Sequence, residues 1–100
     1  MVRLLTAVLI LMCSPALAGD LQPLEREVTA FAEEHPDQAY EKFMTKIETG
    51  ANIEEQAIYL YGIGLANEKL GNIEEAVNDY MGAEILGFEK ASNALKRLQE

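Results

Sequence analysis

Residues Ala57–Phe88, AIYLYGIGLANEKLGNIEEAVNDYMGAEILGF, spell a helix, a turn and a second helix, and this unit limits what the chain can fold into. In the first half, Ile58, Tyr59, Leu60, Tyr61, Ile63, Leu65 and Ala66 cover nearly the whole circumference of a helix. A helix that is apolar all round is buried on several sides. The turn is Lys69-Leu70-Gly71-Asn72. In the second half, Ala76, Tyr80 and Ala83 stand at a 4 + 3 spacing, which is one face of an α-helix. Gly62 and Gly64 lie inside the first helix, where each costs roughly 1 kcal/mol relative to Ala. Such a cost points to a close helix–helix contact, with Ala76 or Ala83 as its natural partner.

The same residues resemble a tetratricopeptide repeat. The family's Leu-Gly pair falls on Ile63 and Gly64, its second-helix Ala, aromatic and Ala on Ala76, Tyr80 and Ala83, and its turn glycine on Gly71. Leu60, Asn67 and Phe88 stand where Trp, Tyr and Pro are usual. The tail Ala83–Ala91 is similar instead to the Sel-like repeats, which close with Ala…Gly…Ala. The resemblance implies an all-α fold of about five antiparallel helices in a short, right-handed array. It also implies a concave face lined by the first helix of each repeat. Carried onto this chain, that face is Ile58, Tyr61, Leu65, Glu68 and Lys69, followed by Ser92, Leu95 and Gln99.

The first 18 residues read as a cleaved signal peptide. Arg3 supplies a positive start, and Ala16-Leu17-Ala18 is an A-x-A cleavage site. Leu4–Met12 is an apolar run far short of the roughly 20 residues that span a bilayer. Cleavage would leave Gly19–Glu100, a single small domain of 82 residues with no stable membrane insertion. The one cysteine, Cys13, leaves with the signal, so the mature chain enters a disulfide-permissive, periplasmic or secreted compartment without a disulfide. Its stability must come from helix packing or from oligomerisation. Arg3 leaves too, so seven basic residues face 17 acidic ones, a net charge of −10. That balance speaks against nucleic acid or an anionic membrane and favours cationic partners.

Around the 57–88 unit the helical pattern continues. Asp20–Glu34 reads as a first helix, capped by Asp20, with Pro23 in its first turn and Leu24, Val28, Phe31 and Ala32 on one stripe. Glu34-His35-Pro36 ends it, because the residue before a proline is driven from the α region. Asp37–Thr49 reads as a second helix capped by Asp37, with Ala39, Phe43 and Ile47 inward. Ala39, Phe43 and Gly50 match Ala76, Tyr80 and Gly87 at a constant offset, so residues 19–50 read as a degenerate N-terminal repeat. Asn52-Ile53-Glu54-Glu55 recurs as Asn72-Ile73-Glu74-Glu75, an N-cap followed three residues later by a capping-box glutamate. The third and fourth helices are thus expected at Ile53–Leu70 and Ile73–Leu86, with Gly87 a left-handed C-cap. A last helix over Glu89–Leu98, within a capping segment 89–100, turns Ala91, Ala94, Leu95 and Leu98 inward and carries Lys96 and Arg97 at its negative end.

No constellation for catalysis stands out. The mature chain has one His, His35 in the Glu-His-Pro-Asp helix break, and no Cys, so no nucleophile–His–carboxylate set stands out and a usual zinc site cannot be assembled. The acidic pairs Glu33-Glu34, Glu54-Glu55 and Glu74-Glu75 are adjacent and so diverge around their helices. Gly62-x-Gly64 follows no strand and is no phosphate loop. The expectation is therefore a protein without enzymatic activity or cofactor that binds a protein or peptide through Tyr61 and its neighbours, or pairs as a homodimer without a peptide groove.

Overall fold

A computed structural model describes residues 20–99; the expected signal peptide 1–18, Cys13, Gly19 and Glu100 lie outside the described residues. Within them the fold is all-helical and holds no strand. Its five helices are α1 (Gln22–Glu34), α2 (Pro36–Glu48), α3 (Ile53–Lys69), α4 (Ile73–Ile85) and α5 (Glu89–Gln99).

Local chemistry sets the helix ends. Leu21, not Asp20, occupies the N-cap of α1, but the Asp20 carboxylate still accepts the Gln22 N–H at 3.2 Å. His35 is at once the C-cap of α1 and the residue before α2. Pro36 takes the first helical position, where its fixed φ is already helical and its missing N–H is not needed. Asp37, expected as the cap, is thereby drawn into the first turn, where its charge meets the positive end of the helix.

The two copies of Asn-Ile-Glu-Glu do different things. Asn52 forms the full capping box: Glu55 N–H donates to Asn52 Oδ1 at 2.9 Å and Asn52 N–H donates to Glu55 Oε1 at 3.0 Å. Asn72 caps nothing with its side chain, contrary to expectation. Its side-chain amide turns back to donate to Asn67 Oδ1 at 3.3 Å. Its N–H is committed to Asn67 O at 2.8 Å, while Gly71 N–H donates to Glu68 O at 3.0 Å. These two bonds, with Gly71 at φ 84°, are a Schellman close of α3. Three residues separate α3 from α4, so Asn72 must finish one helix as it starts the next. Four residues, Asn52 the last of them, separate α2 from α3, and Asn52 keeps its N–H for Glu55. The expected left-handed Gly87 is present at φ 100°, in a second Schellman close made by Gly87 N–H to Glu84 O and Phe88 N–H to Ala83 O.

Helix α3 is the centre of the packing. It touches α1, α2 and α4, while α5 rests on α4. One core cluster joins Val28 and Ala32 of α1, Ala39 and Phe43 of α2, and Ile58, Tyr59, Ile63 and Ala66 of α3. A second joins Ala76, Tyr80 and Ala83 of α4 to Ala91, Ala94 and Leu95 of α5. Leu60, Leu65 and Phe88 pack against both clusters and make the two continuous. Down α3 the neighbours on α4 run backwards: Leu60 lies by Gly82, Gly64 by Tyr80 and Asn67 by Asp79, so these two helices are antiparallel.

Gly62 and Gly64, two residues apart, face opposite sides of α3. A Cβ at Gly62 would stand 2.3 Å from Val28 Cγ1 and 2.9 Å from Phe43 Cε2. One at Gly64 would stand 2.6 Å from Tyr80 Cε1. The close contact expected from the sequence is there, but its partner is the Tyr80 ring rather than Ala76 or Ala83. Those two alanines, fully buried one turn either side of Tyr80, leave room for the ring beside α3. Gly64→Ala is expected to lower stability by about 1–3 kcal/mol through overpacking, read from urea denaturation; a variant as stable as wild type would contradict the contact.

Candidate functional site

The residues expected on a binding face separate into three groups. Ile58 and Leu95 are core residues, 1% and 8% exposed, and present almost no surface to a partner; the apolar circumference of α3 and the inward stripe of α5 account for both. Tyr61, Leu65 and Glu68 are partly buried on one side of α3. Lys69 is exposed and, with Leu65, Glu68 and Glu33 of α1, borders a shallow surface depression.

Tyr61 lies at the middle of this side. Its ring meets Phe88 edge-on at 5.0 Å and Tyr80 at 5.6 Å, geometries that favour aromatic attraction. Burial pushes its hydroxyl pKa up, and charges of both signs surround it: Lys90 and Arg97 oppose the rise while Glu25 and Glu68 add to it. Those four residues form two ion pairs. Lys90 of α5 bonds Glu25 of α1. Arg97 of α5 grips both oxygens of Glu68 of α3, at 2.8 and 2.9 Å, in a fork that a lysine cannot reproduce. Three alternate helices, α1, α3 and α5, are thus tied together around one tyrosine.

Glu68 accepts a third bond, from the Tyr80 hydroxyl at 2.6 Å. The Arg97 bond, aided by Tyr80, holds the Glu68 carboxyl below its usual range despite the desolvation that opposes it. Burial and the Glu68 charge drive the Tyr80 hydroxyl far upward, so it stays protonated and donating. A carboxylate that accepts three hydrogen bonds and is held ionised fixes the position of its partners. Beside it, Asn67 Nδ2 donates to Asp79 Oδ2 at 2.8 Å, and burial raises the Asp79 pKa against that bond.

A cleft of about 270 Å³ opens where the start of α1 meets the α4–α5 turn, bordered by Leu21, Glu25, Glu54, Ile58, Leu86 and Phe88. It is apolar with two carboxylates at its rim. Among the described residues no group of His, Cys, Asp and Glu is arranged to hold a metal ion, and no helix is long and apolar enough to cross a membrane.

Arg97, Lys90, Glu25 and Tyr80 did not stand out as site residues in the sequence. Arg97 reads there as a cation suited to a helix end, and Tyr80 as a core aromatic. Their partners lie 29, 65 and 12 positions away, beyond the reach of any local spacing rule. No family model, curated protein or solved structure matches the chain.

The two perturbed carboxylates act with opposite sign on stability. A lowered pKa at Glu68 contributes stability above the unfolded value near 4.5 and loses it as pH falls through the folded value. A raised pKa at Asp79 stabilises the protonated form, and that contribution is lost as pH climbs from 3.8 through the folded value. Arg97→Ala is expected to cost about 0.5–1 kcal/mol at neutral pH, the modest figure suited to an arginine whose side chain is 54% exposed. The deficit should close as pH drops below 4.5, followed by urea denaturation across pH. A deficit that stays constant with pH would contradict the role given to Glu68.

Proposed function

We propose that this is an exported helical-repeat protein of the tetratricopeptide or Sel-like kind, which mediates protein–protein interaction as an accessory or adaptor subunit in the periplasm. The observation that carries the reading is the linking of alternate helices. Glu25–Lys90 and Glu68–Arg97 join α1, α3 and α5 on one side of the molecule, the arrangement expected when helix pairs stack and their first helices share a face. The repeat residues support it as well. Of the positions of the resemblance, Gly64, Ala76, Tyr80 and Ala83 are buried around α4, and Ile63 is buried in the cluster of α1, α2 and α3. Arg3, the apolar run Leu4–Met12 and Ala16-Leu17-Ala18 support export. Interaction is the fitting class because the polar groups on the shared face are engaged with each other and act as fixed features of a surface.

The surface open to a partner on that face is the ridge of Leu65 and Lys69, with Tyr61 set behind it. Capture from an envelope fraction should lose partners when Leu65→Ala and Lys69→Ala are combined in a chain whose circular dichroism is unchanged. Equal capture by both forms would remove this face as the binding surface.

A second reading is a self-associating, homodimeric module without a peptide groove. It draws on the exposed apolar side chains of α4, where Ile85 is 79% exposed. Light scattering at micromolar concentration separates the two readings, since a monomer mass removes the homodimer.

A further inference from the structure

The outward side of α4 is unlike any other surface of the described residues. Ile73, Val77, Met81 and Ile85 follow one another at steps of four, so they form a single row along the helix. Ile73, Met81 and Ile85 are 45%, 46% and 79% exposed. The row runs about 18 Å at 1.5 Å per residue, the length of a docked helix of some three turns. Val77 is partly buried against the α4–α5 cluster and joins the exposed members. Scattered exposed apolar residues are ordinary, but three on one row of one helix mark an interaction surface. The fold does not need its exposed members Ile73, Met81 and Ile85. The inward side of α4 is already filled by Ala76, Tyr80 and Ala83, each 0% exposed.

Charge identifies what the row accepts. Helix α4 carries Glu74, Glu75, Asp79 and Glu84 and no Lys or Arg. Asp79 turns away from the row to Asn67 of α3, whereas Glu84 is bonded by the neutral Ser92 hydroxyl, so its charge is not cancelled by a cation. Glu74 and Glu75 are exposed in the first turn. The row is therefore an apolar strip set in a one-signed negative field. We propose that it docks an amphipathic helix of a partner protein whose apolar stripe is flanked by Lys and Arg.

A second copy of this chain does not meet that description. Two copies related by a two-fold axis through the row would set α4 acids against α4 acids. The most basic helix a copy could offer instead is α5, with Lys90, Lys96 and Arg97, and there Glu25 and Glu68 already hold Lys90 and Arg97. An apolar groove that takes an amphipathic helix by its i, i+3, i+4 and i+7 anchors, with flanking charges setting partner choice, is an established mode of recognition. The α4 row is separate from the Leu65–Lys69 ridge, so this proposal and the reading of that ridge stand or fall independently.

The test uses the mature chain and two synthetic helical peptides of about four turns. Both have leucine on one stripe; one has lysine elsewhere and the other glutamate. Fluorescence anisotropy should show the Leu/Lys peptide bound, the Leu/Glu peptide at least about tenfold weaker, and the Leu/Lys affinity falling with added salt. Met81→Ser with Ile85→Ser should weaken the Leu/Lys peptide at least about tenfold. Tyr40→Ser, which removes an equally exposed apolar side chain from α2, should leave binding unchanged. Because all three sites are exposed, thermal melting should show these variants folded. The proposal is overturned by no binding of the Leu/Lys peptide, by equal binding of both peptides, or by binding that survives Met81→Ser with Ile85→Ser. A wild-type dimer that this double variant converts to monomer would overturn it too, by giving the row to a second copy.

Discussion

The rest of the structure depends on how closely α3 lets its neighbours approach. A Cβ at Gly62 would collide with Val28 and Phe43, and one at Gly64 with the Tyr80 ring. The two glycines thus admit α1 and α2 on one side and α4 on the other. Each weakens α3 as an isolated helix, by roughly 1 kcal/mol. That loss is offset by the burial of Phe43 and Tyr80, aromatics that dominate core energetics through their large area. The helix that carries two interior glycines is therefore the one most enclosed, and the two core clusters meet across it through Leu60, Leu65 and Phe88.

Much of this was legible in the sequence, because it follows from local periodicity. Five helices, the break at His35-Pro36, the left-handed Gly87 and an unusually buried third helix all come from spacing and turn chemistry. The failures are also local. Asp20 and Asp37 each look like caps, yet Pro23 after the first and Pro36 before the second stand in the first turns, and the helices begin at Gln22 and Pro36. The repeated Asn-Ile-Glu-Glu looks like one device used twice. A loop one residue shorter makes Asn72 close α3, and the cap is given up. Identical residues adopt different roles because both the backbone N–H and the side-chain amide of Asn72 are donated back to Asn67.

The candidate face was less legible. Tyr61, Leu65, Glu68 and Lys69 lie on one side of α3, as helical spacing alone requires. Ile58 and Leu95 do not join them at the surface, because a helix apolar all round leaves periodicity unable to say which apolar side turns outward. The ion pairs that organise the face are between helices far apart in the chain, and no spacing rule reaches them. Tyr80 connects the two levels: its ring fills the space over Gly64, and its hydroxyl donates to the carboxylate that Arg97 grips. Packing and charge at this face are therefore one arrangement, and a change at Gly64 reaches Glu68 through a single side chain.

If α3 is the element on which both clusters depend, its backbone must open only when everything opens. Native-state amide hydrogen exchange reads this directly. The account requires the amides of Ile58–Ala66 to exchange with the free energy of global unfolding, and those of α1, α2, α4 and α5 at that limit or below it. Protection in α1–α2 or α4–α5 that outlasts the protection of α3 would show a half of the molecule standing without it, and would contradict the central place given to this helix.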